Sequence, residues 1–246
     1  LNRAGGVSVP AEPERTTRRQ RKRAENPSRG SGTNLGARLA VAIPAGLLAL
    51  FCILNSSETL AVFALVVGAI ALHEFYVLAH RIQPIRLAGF LTLIALVGAG
   101  LWGDQFQFAA VIAASFVVVF LLSAFTGPRE NATFGMATTL FGAFWIGIPL
   151  AYVLWLRKLP HGDMVIITIL LGTFVGDTCA MFGGKLFGRT KMAPALSPNK
   201  TVEGLACGIL GAVLTIWFAG LYRDWITGQN ALLLGFAVAL AAPIGD

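Results

Sequence analysis

Eight long apolar blocks, separated by short polar breaks, constrain this chain more than any other feature. They cover residues 36–55, 59–80, 85–102, 105–126, 132–156, 163–184, 202–221 and 231–246. A bilayer's hydrocarbon core is about 30 Å thick, which a helix of about 20 apolar residues crosses. Backbone polar groups in hydrocarbon must be satisfied within the segment itself, so the blocks are expected to be helices. Composition agrees, with 56% hydrophobic and only 13% charged residues, against about 25% charged in soluble domains. The expected fold is an all-α polytopic membrane protein with about eight transmembrane helices. A soluble domain is excluded.

Charge is unevenly distributed. Residues 1–38 carry nine Lys/Arg and three Glu, while the rest of the chain carries ten basic and nine acidic residues. Residues 1–35 are rich in Arg, Glu, Pro, Ser and Gly and cannot bury enough apolar surface to offset ordering entropy. They are expected to be a disordered basic arm, followed by a transmembrane helical domain over 36–246. No small-residue cleavage site follows the first block, which reads as a retained span. With the N-terminus placed inside, the cytoplasmic segments hold 16 Lys/Arg and the outer loops hold three, Arg157, Lys158 and Arg223. The positive-inside rule therefore predicts a cytoplasmic N-terminus in a plasma (inner) membrane. It also puts the longest polar loop, 185–201, in the cytoplasm. The basic arm reads as a contact for anionic membrane lipids, not for nucleic acid.

Chemistry concentrates after the sixth block begins. Asp177 lies about seven residues from that block's inner end, or roughly 10 Å deep at 1.5 Å per residue. An intramembrane acid costs roughly 2.5–3.5 kcal/mol on insertion scales and is a functional candidate by default. The bland alternative is a buried hydrogen bond that orients helices. The loop beyond it carries Lys185, Arg189, Lys191 and Lys200 with no acid, and Glu203 follows. Carboxylates beside a basic loop suit a site for Mg²⁺ and polyphosphate, since Mg²⁺ takes one or two carboxylates plus phosphate oxygens. The alternative is an ordinary basic loop gripping headgroups. Ser197 to Gly204 reads as a helix start, with Asn199 or Thr201 as its cap and Glu203 in the first turn. Free N–H groups at such a start bind phosphate. Gly172/Gly176 and Gly204/Gly208 form two GxxxG pairs, which let helices approach closely. That spacing predicts that spans six and seven pack together and bring Asp177 near the turn at Lys200 to Glu203; incidental glycine is the alternative. In span two, beside His73, Glu74 is read as hydrogen-bonding within the bundle or pairing with Arg81 or Arg86, with a substrate-site role as the alternative. The three cysteines, Cys52, Cys179 and Cys207, offer neither a disulfide framework nor metal-binding spacing.

The run GDTCAMFGGKLFGRTKMAPALSPNKTVEG resembles the core of the phosphatidate cytidylyltransferase (CDP-diacylglycerol synthase) family, bacterial type. The likeness rests on Asp177, Phe182-Gly183, Phe187-Gly188, Lys191 to Pro194, and Ser197 to Gly204. Val202 stands where many relatives have Trp. The family's C-terminal K-R, H-G-G and D-R-x-D elements do not follow Gly245-Asp246. The resemblance therefore implies that 163–246 is the start of a catalytic half cut short, and that the chain as written is expected to be inactive without it.

The resemblance also implies an activity, the transfer of a cytidylyl group from CTP to phosphatidate with Mg²⁺, giving CDP-diacylglycerol and pyrophosphate. By the same likeness, Asp177 and Asp246 are metal ligands, and Lys200 and Lys191 hold phosphates. Lys185 and Arg189 bind substrate, and Ser197 and Thr201 donate to phosphate oxygens. Glu203 orients a lysine or binds metal through water. The competing readings are a CTP-dependent polyprenol or phytol kinase, and a transporter or scaffold without chemistry. A homodimer through the GxxxG pairs is a further expectation, although the same glycines are needed inside the bundle.

Overall fold

The computed structural model describes residues 35–125, 132–193 and 197–245. The basic arm, the break at 127–131 and Asp246 lie outside these residues. Eight α-helices are found among them: α1 (Leu35–Asn55), α2 (Ser57–Leu78), α3 (Arg86–Trp102), α4 (Gln105–Phe125), α5 (Ala132–Lys158), α6 (Gly162–Phe187), α7 (Val202–Leu221) and α8 (Gly228–Gly245). They coincide with the eight apolar blocks to within a few residues. Five of them, α2, α4, α5, α6 and α7, are long and apolar enough to cross a membrane. The other apolar stretches, Ala42–Asn55, Arg86–Trp102 and Gly228–Pro243, are shorter. The architecture is that of a multi-pass membrane protein.

Two compact units divide at residue 45. In the first, the described residues form the start of α1. The second unit, Gly46–Asp246, contains the remaining elements.

Local chemistry explains the helix ends. Ser56 caps α2 reciprocally: its hydroxyl accepts from Thr59 N, and Thr59 Oγ1 accepts from Ser56 N, both at 3.2 Å. Asp104 and Gln107 repeat the device before α4, each side chain accepting from the other's backbone N–H at 2.9 Å. A 3₁₀ turn at His80–Ile82 leads to Gln83, which adopts the left-handed region with φ 54°.

Helices α2 to α5 share a core of large side chains. Tyr76, Leu72, Leu93, Leu96 and Leu154 are fully buried there. At its centre Tyr76 donates to Thr139 O at 2.8 Å. The Thr139 hydroxyl accepts from Ile85 N at 2.8 Å and donates to Gly135 O at 2.7 Å. This polar knot ties α2, the entry to α3, and α5 together inside apolar surroundings, where an unmet polar group would be costly.

The second assembly is α6 to α8, with α7 packed against both neighbours. Among the described residues, strand is found only in the loop between α6 and α7. There β1 (Lys191–Ala193) and β2 (Ser197–Thr201) form an antiparallel hairpin, pairing Lys191 with Thr201 and Ala193 with Ser197. The sequence suggested only a polar loop and a helix start.

Candidate functional site

The two GxxxG pairs meet across the α6–α7 seam. A Cβ on Gly208 would sit 2.8 Å from Ala180 Cβ and 3.1 Å from Gly176 O, and one on Gly176 would lie 3.0 Å from Ala212 Cβ. No side chain fits there, so the two backbones touch. The expected packing of spans six and seven is thus present. The helix α6 runs to Phe187, beyond the apolar block, so Asp177 stands ten residues before its end.

Above this seam is a cavity of about 790 Å³. From α6 it is lined by Asp177, Ala180, Met181, Gly184 and Lys185. These positions recur at helical spacing and form one stripe. Met192 of β1 and Lys200 and Thr201 of β2 line it from the hairpin, and Gly204, Leu205 and Pro243 from α7 and α8. One acid, two lysines and a hydroxyl thus face the same space as a methionine- and leucine-lined wall.

The α7 start is built as a cap. Thr201 is the N-cap, and its Oγ1 accepts from Gly204 N at 3.2 Å. Val202 N donates to Thr190 O at 3.0 Å. Two of the first three amides are therefore already engaged, and the anion-holding capacity expected of this helix start falls mainly to the lysine side chains. Glu203 turns away from the cavity lining. Its carboxylate accepts from the backbone N–H of Arg189 and of Thr190, at 3.1 Å each.

Among the residues singled out in sequence, Asp177, Lys185, Lys200 and Thr201 line the cavity, whereas Arg189, Lys191 and Glu203 are not among its lining residues. The Ser197 side chain and Asp246 lie outside what the structure describes. His73 and Glu74 are exposed on α2. Sequence reasoning did not single out Ala180, Met181, Gly184, Met192, Leu205 or Pro243 as site residues. The signal for the α6 members was present, because they fall three, four and seven residues after Asp177. Met192 and Pro243 come from other elements and carried no such signal.

Within the described residues no three His, Cys, Asp or Glu side chains gather as a metal cage. The donor set does suit Mg²⁺ held mainly by substrate: one hard carboxylate, Asp177, in a cavity with lysines that match phosphate oxygens.

Comparison with known proteins gives a consistent picture. The profile described as Cytidylyltransferase family matches residues 36–246. A phosphatidate cytidylyltransferase of Staphylococcus haemolyticus (strain JCSC1435) is 29% identical over 221 residues, covering 85% of this chain and 81% of that protein. One from Staphylococcus epidermidis (strain ATCC 12228 / FDA PCI 1200) is 29% identical over 222 residues, and one from Staphylococcus aureus (strain COL) 27%, with the same coverage.

Proposed function

Because this chain belongs to the cytidylyltransferase family, we propose that it transfers the cytidylyl group of CTP to phosphatidate at the cavity between α6, α7 and the hairpin. A phosphate oxygen of phosphatidate attacks the α-phosphorus of CTP. The bond from that phosphorus to the bridging oxygen breaks, and pyrophosphate leaves with the electron pair. The observation that carries the reading is the convergence of Asp177, Lys185, Lys200 and Thr201 on a space walled by Met181, Met192, Leu205 and Pro243. The polar end suits a triphosphate, and the apolar wall suits a lipid substrate.

The reaction needs its two anionic partners brought together and the growing charge on the leaving group offset. Lys185 and Lys200 supply positive charge at the cavity for that purpose. Thr201 Oγ1 already accepts from Gly204 N, which leaves its O–H proton to donate to a phosphate oxygen. Asp177 is the group that would hold Mg²⁺. When bound, the ion would polarise phosphoryl oxygens and neutralise their charge. The charge asymmetry of the loops supports a cytoplasmic site in the plasma membrane, where CTP is available.

The test is turnover of CTP by the protein expressed from its full natural reading frame and purified, in phosphatidate micelles with Mg²⁺, reading pyrophosphate and CDP-lipid together. Equal yields of both are expected. CDP appearing with a newly phosphorylated lipid would instead make the protein a kinase.

A further inference from the structure

Glu203 sits in the first turn of α7, yet its carboxylate reaches back across the base of the hairpin. Oε2 accepts from Arg189 N at 3.1 Å and Thr190 N at 3.2 Å, and Oε1 from Thr190 N at 3.1 Å. In the opposite direction Val202 N donates to Thr190 O at 3.0 Å. Residues 189 and 190 lead into β1, and β2 runs directly into α7. Both strands are therefore closed at the same point by bonds between this pair and the first two residues of α7.

The hairpin needs such a closure. Its strands have three and five residues, and an isolated two-stranded ribbon is marginal in water. Hydrogen bonds to an ionised carboxylate are roughly twice as strong as neutral ones. Backbone crowding points the same way: a Cβ on Gly188 would sit 2.8 Å from Thr201 Oγ1, so the chain must pass close beneath the cap to reach Glu203. What the closure fixes is functional, because β1 delivers Met192 and β2 delivers Lys200 and Thr201 to the cavity.

We propose that Glu203 is a positioning residue that locks the hairpin base to α7, setting Lys200 and Met192 at the cavity, with its carboxylate engaged by backbone amides and not by metal. The kinetic part of this assignment rests on the cytidylyl-transfer reading; the structural part does not.

The experiment is hydrogen–deuterium exchange by mass spectrometry on the wild type, Glu203→Gln and Glu203→Ala in micelles without substrate, paired with CTP kinetics. The Arg189 and Thr190 amides should exchange about tenfold faster in Glu203→Ala. Glu203→Gln, which retains one acceptor oxygen, should fall between. Peptides from the middle of α7 should be unchanged in both. The KM for CTP should rise about tenfold or more, since small displacements of positioning groups are costly, while the half-saturating Mg²⁺ concentration stays put. Unchanged exchange at 189–190 in both variants overturns the proposal, and so does a shifted Mg²⁺ requirement without a change in exchange. If the wild type expressed from its full natural reading frame turns over no CTP, the functional reading fails, and the exchange result alone still decides the role of Glu203.

Discussion

In α2 to α5 the fully buried positions include Tyr76, Leu72, Leu93, Leu96 and Leu154, packed beside small residues such as Gly142 and Gly147 of α5. In α6 and α7 the buried positions are largely glycine, with Gly172, Gly176 and Gly183 on one helix and Gly204, Gly208 and Gly220 on the other, beside Ile166, Val213 and Ile216. Helices in lipid gain nothing from hiding apolar surface from one another, so close van der Waals contact must hold them. The first group achieves contact by interlocking large side chains around a polar knot and by the close approach of Gly100 to the Ala151 backbone. The second brings backbone against backbone. The difference matters for chemistry. Rotamers in a core of large side chains can absorb a small change, but a backbone seam has none to adjust. It transmits any displacement directly to the cavity that Asp177 and Lys200 share. The candidate site is thus seated on a seam with little tolerance for added volume.

The sharpest way to break this comparison lies at the cavity. In the protein expressed from its full natural reading frame, Asp177→Asn should lower CDP-lipid formation by at least about 100-fold, with little change in thermal unfolding, because the helix keeps an isosteric side chain while the hard anionic donor disappears. Normal turnover by that variant would remove the metal role. Next comes the seam. Gly208→Val should cost about 1–3 kcal/mol through overpacking against Ala180 and the Gly176 carbonyl. Unlike a core mutation, it should also depress turnover in the molecules that remain folded, as measured by denaturation in detergent beside specific activity.

Tyr76→Phe tests the other half. Losing the hydroxyl leaves the Thr139 carbonyl short of a partner and should cost about 1–3 kcal/mol, with specific activity unchanged. A fall in activity would mean that the two halves are coupled more tightly than their packing indicates. The smallest effect should come from Gly98→Ala on α3. An added Cβ there meets nothing closer than Trp102 at 3.9 Å, so unfolding should shift by less than about 0.5 kcal/mol or gain slightly from helix propensity.

Much of the fold was legible because the bilayer leaves few choices. A run such as 59–80 must be a helix wherever it packs, and α2 occupies Ser57–Leu78. The GxxxG spacing of Gly172/Gly176 and Gly204/Gly208 also declared its partner, since small residues at that interval have one obvious use. The hairpin was less visible. Residues 191–201 combine Pro, Lys, Ser and Asn without strand periodicity, and their pairing depends on a closure made by Glu203 from the next helix. For the same reason the sequence led to a metal- or lysine-directed role for Glu203, while the structure turns its carboxylate to the amides of Arg189 and Thr190. An acid in a first turn can serve an ion, a lysine or a neighbouring backbone, and nothing local distinguishes them.

The sequence by itself determined the helices, their number and approximate bounds, the asymmetry of charge and the stretch in which chemistry concentrates. These are properties of composition and period along the chain, enforced residue by residue by the cost of bare backbone in hydrocarbon. Only the tertiary structure decided which of the basic residues reach the cavity, that Met181, Met192, Leu205 and Pro243 wall it, and that Glu203 faces backbone. Those outcomes depend on how α6, α7, α8 and the hairpin approach one another in space, and residues from four elements carry no mutual spacing along a chain that could announce it.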